Sequence, residues 1–171
     1  MSVHAVQAPS SSATATAGSY TAGWSNASQL RCTDCHANAD ATKPAGPHTS
    51  PAAPILGAPV WGASPDNADL LCYRCHRIGT YLDGTSDSAA SASRFNDATR
   101  LAAAGFTING KLHMLHTADL GYACDSCHVT HGSATQKHLM RSDVGFAHSP
   151  TDNGGSCDNA CHTGLHIYTN P

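Results

Sequence analysis

Cys32-Thr33-Asp34-Cys35-His36 recurs along the chain as Cys72-Tyr73-Arg74-Cys75-His76, Cys124-Asp125-Ser126-Cys127-His128 and, one residue longer, Cys157-Asp158-Asn159-Ala160-Cys161-His162. All eight cysteines of the 171 residues fall in these four pairs, and histidine follows each pair at once. Two thiols at this spacing can form thioethers to the two vinyl groups on one porphyrin edge while the next imidazole reaches the iron. Cys-x-x-Cys-His is therefore the attachment pattern of c-type haem. The reading gives four haems (haem c, iron), tethered by Cys32, Cys35, Cys72, Cys75, Cys124, Cys127, Cys157 and Cys161, with His36, His76, His128 and His162 as proximal ligands.

Other uses of the pairs explain less. Zinc needs no histidine directly after every cysteine pair. Disulfides within a pair would close loops too short to stabilise much, and bridges between pairs leave four histidines unexplained. A thioredoxin-like centre needs one such pair in a βαβ setting that this sequence lacks.

Composition supports an interior made of cofactor. Leu, Ile, Val and Phe together make up about 13 % of the chain, below the roughly 20 % under which side chains alone rarely offset the entropy of folding. Charged residues are only 12 %, too few for a self-repelling disordered chain. Four large apolar macrocycles, about one per 43 residues, would supply the missing buried surface. A compact chain of this length has a radius of gyration of about 16 Å, so four haems cannot avoid one another.

The net charge of −3, with nine Lys and Arg and no basic run, leaves no means of neutralising a phosphate backbone, so nucleic acid is not an expected partner. No apolar window of about twenty residues exists to span a membrane. Residues 1–18 have neither a basic n-region nor an apolar h-region, so an exported chain is expected to have lost its leader already.

Eight histidines remain beyond the motifs: His4, His48, His113, His116, His131, His138, His148 and His166. That excess over four distal positions argues for bis-histidine iron, low in potential and closed to substrate. His131, three residues beyond His128, points away from its own haem towards a neighbour's iron. His113 and His116 lie three apart on one face of a helical turn, a separation suited to two stacked haems. His48 sits in a Pro-rich wrap that holds a ligand at low entropy cost. These four are the first choices for distal ligands. His166 and His148 follow, with His138 behind them, and His4 ends an arm from which it could ligate iron in a neighbouring subunit.

The whole chain, 1–171, reads as one tetrahaem domain, with 1–22 a low-complexity arm packed on this chain's own surface or on a neighbouring subunit. Six prolines between Ala41 and Pro65 favour an extended path. Short helices are expected where Ser28 caps a turn into Cys32, from Asp66 and Asp69 into Cys72, from Asn96 or Asp97 to Gly105, and over Lys111 to Thr117. No strand alternation stands out. The fold class is a multihaem cytochrome c, mostly irregular coil with short α-helices, little or no β, and a core of four covalently bound haems.

Four such motifs, a low-complexity arm, few charges and the run from His113 through His116 to Cys124, Cys127, His128 and His131 resemble the tetrahaem extracellular cytochromes that polymerise into filaments, the OmcE-like nanowires. The resemblance spans residues 32 to 166. It implies parallel and T-shaped haem pairs, little secondary structure, one iron per protomer completed by a neighbour's histidine, a helical homopolymer, and electron delivery to redox partner proteins or extracellular acceptors such as metal oxides and other cells. The smaller cytochromes of the c3 kind are lysine-rich, whereas this chain has only Lys43, Lys111 and Lys137.

The expected function is long-range extracellular electron transfer by an electron-transfer protein rather than an enzyme, exported to the cell surface. Two rivals stay open: a monomeric periplasmic tetrahaem shuttle, and a small multihaem reductase that would need one open iron position. Asn26-Ala27-Ser28 fits a glycosylation sequon.

Overall fold

The computed structural model describes residues 2–4, 19–25, 27–37, 42, 55–60, 69–82, 112–133, 135–148, 155–157 and 166–168. His48, Cys161, His162 and the helix expected between Asn96 and Gly105 lie outside them. Of His148 and His166 only the backbone is described.

Each of the first three motifs is a single helical turn. Its histidine N–H donates to the first cysteine's carbonyl, at 2.7 Å from His36 to Cys32, 2.9 Å from His76 to Cys72 and 2.9 Å from His128 to Cys124. The first turn is a short helix, α1 (Cys32–Cys35). The other two are 3-10 turns over Leu71–Arg74 and Cys124–Ser126. Side chains at i and i+3 lie on one side of such a turn and eclipse in 3-10 geometry, so both cysteines face the same way. Arg31, not Ser28, begins α1: the Asp34 carboxylate accepts from the Arg31 N–H at 2.6 Å. Ser28 is used earlier, its hydroxyl oxygen accepting from the Ser25 N–H at 2.9 Å.

An extended segment clamps the backbone of each of these three motifs. In the second, Arg77 N–H donates to Ser19 and Thr21 N–H to Cys75, which sets Tyr20 opposite His76. In the third, Val129 N–H donates to Leu139 and Arg141 N–H to Cys127, with Met140 opposite His128. In the first, Gly57 N–H donates to Cys35. The clamps of the first and third motifs are entered through a bulky residue in the left-handed region, Ile55 (φ 64°) and Leu139 (φ 56°). Such strain at a non-glycine residue persists only where surrounding contacts over-determine it.

Ordinary core is sparse among the described residues. One buried cluster is Leu56, Ala58 and Leu71, packed with Cys35 and Val60. A second is Leu70, Tyr73 and Leu82, packed with Ile78 and Tyr81 of α2 (Ile78–Tyr81). Leu71 N–H donates to Pro59 at 2.9 Å and Arg74 Nη2 to the Gly57 carbonyl at 2.8 Å, so segment 55–60 is gripped between the first and second motifs.

The turn expected over Lys111 to Thr117 is α3 (Leu112–Met114), which widens into a π-turn over Leu115–Asp119. The buried Thr117 hydroxyl accounts for the widening. It is placed to donate to the carbonyls of His113, at 2.7 Å, and of Tyr81, at 2.8 Å. A hydroxyl that bonds back four residues competes with the helix's own ladder.

Strands are present but short. β1 (Ser2–Val3) pairs antiparallel with β2 (Gly132–Ser133). β3 (Phe146–His148), β4 (Gly155–Cys157) and β5 (His166–Tyr168) form an antiparallel sheet in that order. Strands of two or three residues are too short for period-two alternation to show in a sequence, which is why none was expected.

Candidate functional site

Six of the described histidines meet in pairs. His36 and His131 have ring centres 5.9 Å apart and planes 5° from parallel. His113 and His128 lie 6.3 Å apart at 19°, and His4 and His76 lie 6.3 Å apart at 55°. Each pair joins one motif histidine to one histidine outside the motifs. An imidazole nitrogen binds a metal at about 2 Å, and the ring centre lies about 1 Å further on, so two imidazoles trans on one ion have centres about 6 Å apart. The three pairs have that separation. Ordinary aromatic packing allows similar distances, but it gives no reason for a motif histidine to meet a non-motif histidine three times.

Hydrogen bonds on the far side of the rings fit the same use. His128 Nδ1–H donates to the His138 carbonyl at 2.9 Å, His116 Nδ1–H to Leu112 at 2.7 Å, and His4 Nδ1–H to Thr130. A proton held on Nδ1 leaves the Nε2 lone pair for a metal, and a carbonyl partner fixes the ring's orientation. Desolvation, then the neighbouring His4 and His128, lowers the His76 pKa to about 4. Desolvation, then His128, His116 and His76, lowers that of His113 to about 3. His128 is lowered chiefly by desolvation, against the bond it donates to the His138 carbonyl. These rings are neutral at pH 7, the form that ligates.

The cysteines neighbour one another in sequence order. Cys35 acts on Cys72 and Cys75, Cys72 hydrogen-bonds Cys124, and Cys127 acts on Cys157. Burial, then Cys35 and Asp34, pushes the Cys75 thiol up to about 11. Burial also raises Cys35 and Cys157, and the bond to Cys124 together with burial raises Cys72. The contact with Cys72 lowers Cys124, so surroundings that favour an uncharged sulfur, which suit a thioether, are found at Cys35, Cys72, Cys75 and Cys157. Among the described residues no group of three or more His, Cys or Asp converges to hold a bare metal ion. A porphyrin iron asks for only two protein ligands.

The structure thus pairs His4 with His76, His36 with His131 and His113 with His128. His116 stands beside His113, and His4 meets His76 of its own chain. His138 contributes a carbonyl rather than its ring to the His128 contact. Two aromatic residues escaped the sequence reading. Tyr20 stacks on His76 at 5.7 Å, and Tyr81 meets both His76 and His113 edge-on, at 5.5 and 5.0 Å. No helix among the described residues is long and apolar enough to cross a membrane. Comparison with known proteins yields no match to a family model, a curated protein or a solved structure.

Proposed function

We propose that the chain is a tetrahaem c-type cytochrome that moves electrons along a row of bis-histidine centres as the repeating subunit of an extracellular filament. The observation that carries the reading is the pairing of His36 with His131, His76 with His4 and His128 with His113 at 5.9 to 6.3 Å. When bound, each haem iron supplies a one-electron couple.

The chain's own residues hold and orient. The cysteines would hold two points of each macrocycle and the motif histidines its iron, while carbonyls of Thr130 and His138 set the rings of His4 and His128. Two imidazoles on one iron would leave no position for substrate at the three paired centres, which favours electron transfer over a reductase. Tyr81, in ring contact with both His76 and His113, sets two of the pairs beside each other, which favours a continuous row. Low charge density limits repulsion between copies, which favours assembly.

The monomeric shuttle is the second reading, because all three imidazole pairs form within one chain. Pyridine haemochrome analysis tests the common premise: four covalent haems per chain are expected, and far fewer overturn it. Cryo-electron microscopy and sedimentation separate the two readings, with filaments expected and a species of single-protomer mass overturning the polymer. Carbon monoxide binding by the untreated reduced protein would point to an open iron and to the reductase.

A further inference from the structure

We propose that Tyr81 is a positioning residue shared by two centres: its ring sets the planes of the His76 and His113 imidazoles together. The inference rests on the haem assignment above and extends it to a residue that touches no iron. Tyr81 lies edge-on to His76, with ring centres 5.5 Å apart at 89°, and edge-on to His113, at 5.0 Å and 81°. His76 and His113 belong to different imidazole pairs, the first with His4 and the second with His128. One tyrosine therefore stands between the two pairs and blocks rotation of both rings.

The ring is held from behind. Tyr81 ends α2, packs against the Leu70, Tyr73 and Leu82 cluster, and receives on its carbonyl the hydroxyl of Thr117, the residue four beyond His113. The same hydroxyl reaches the His113 carbonyl, so the backbone carrying Tyr81 and the backbone carrying His113 are tied at one atom. Edge-to-face contact favours a perpendicular arrangement, and both angles lie within ten degrees of it. His36 and His131 have no ring contact with Tyr81 among the described residues, so the pair they form should not respond to it.

The axial imidazole planes govern the low-spin ferric electron paramagnetic resonance signal, a readout that general loss of stability does not shift. The experiment uses the full haem-loaded protein as wild type, Tyr81→Leu and Tyr81→Phe, with haem counted in each by pyridine haemochrome. Four haems are expected throughout. Tyr81→Leu should displace two of the four low-spin signals and leave two in place, and Tyr81→Phe, which keeps the ring, should superimpose on wild type. Thr117→Val is the second variant should Tyr81→Leu fail to fold; it frees the Tyr81 carbonyl without touching the ring and should move the same two signals by less. The inference is overturned if Tyr81→Leu moves none, if it moves all four alike, or if Tyr81→Phe behaves as Tyr81→Leu, since the hydroxyl would then be the orienting group. Fewer than four haems in the wild type would overturn the haem assignment itself, a result distinct from four haems with unmoved signals.

Discussion

Gly57 is the point at which the first and second motifs are pressed together, and Gly57→Ala tests that junction. A Cβ at this position would lie 3.0 Å from Arg74 Nη1, 3.1 Å from the Ala37 Cβ and 3.6 Å from the Cys35 carbonyl oxygen. Unstrained carbon contacts begin at about 3.5 Å, so two neighbours must each retreat by about half an ångström. Arg74 could swing away, but it would give up its 2.8 Å bond to the Gly57 carbonyl. The Ala37 methyl is fixed to the backbone one residue past His36 and has no side chain to rotate. Overpacking of this kind costs about 1–3 kcal/mol. The exposed arginine bond adds no more than about 1 kcal/mol after solvent screening. A total of about 2 kcal/mol lowers the melting temperature of a chain this size by about 4–8 °C. The assay is thermal unfolding of the haem-loaded protein by far-ultraviolet circular dichroism, for Gly57→Ala, Arg74→Ala and the double variant. The double variant should lose less than the sum of the singles, because deleting Arg74 removes one of the two clashes. A Gly57→Ala protein within about 0.5 kcal/mol of wild type, or strict additivity, would refute the reasoning.

Three further outcomes follow from the same geometry. His4→Ala, His113→Ala and His131→Ala should each open one iron, so carbon monoxide uptake by the reduced protein rises from none to one per chain; uptake unchanged in any of them removes that histidine from its pair. Ile55→Asn should stabilise the protein by up to about 1 kcal/mol, a few degrees of melting temperature, because asparagine tolerates the left-handed region that Ile55 occupies and Ile55 is 42 % exposed. Thr117→Val should cost about 1–3 kcal/mol in denaturant unfolding, since it takes a donor from the carbonyls of Tyr81 and His113 at a buried site.

The sequence by itself determined everything that is local. In the first three motifs Cys, Cys and His at positions i, i+3 and i+4 share one closed turn, with the histidine N–H on the first cysteine's carbonyl, so the local juxtaposition on which the proposed haem attachment rests was legible from spacing. The scarcity of Leu, Ile, Val and Phe accords with the small clusters around Leu56 and Leu70 among the described residues. His131 and His113 could be singled out because each lies within a turn or two of a motif or of another histidine. Only the tertiary structure decided which imidazole meets which. His131 faces His36, and His4 faces His76, across stretches of chain that carry no periodic signal; the choice depends on clamps such as Ser19 to Thr21 on His76 and Leu139 to Arg141 on His128. Those clamps are backbone hydrogen bonds between distant segments, blind to side-chain identity, and a sequence cannot announce them. Tyr81 and Gly57 were invisible for the same reason: the role of each comes from what lies beside it in space, a pair of imidazoles in one case and the Arg74 and Ala37 side chains in the other.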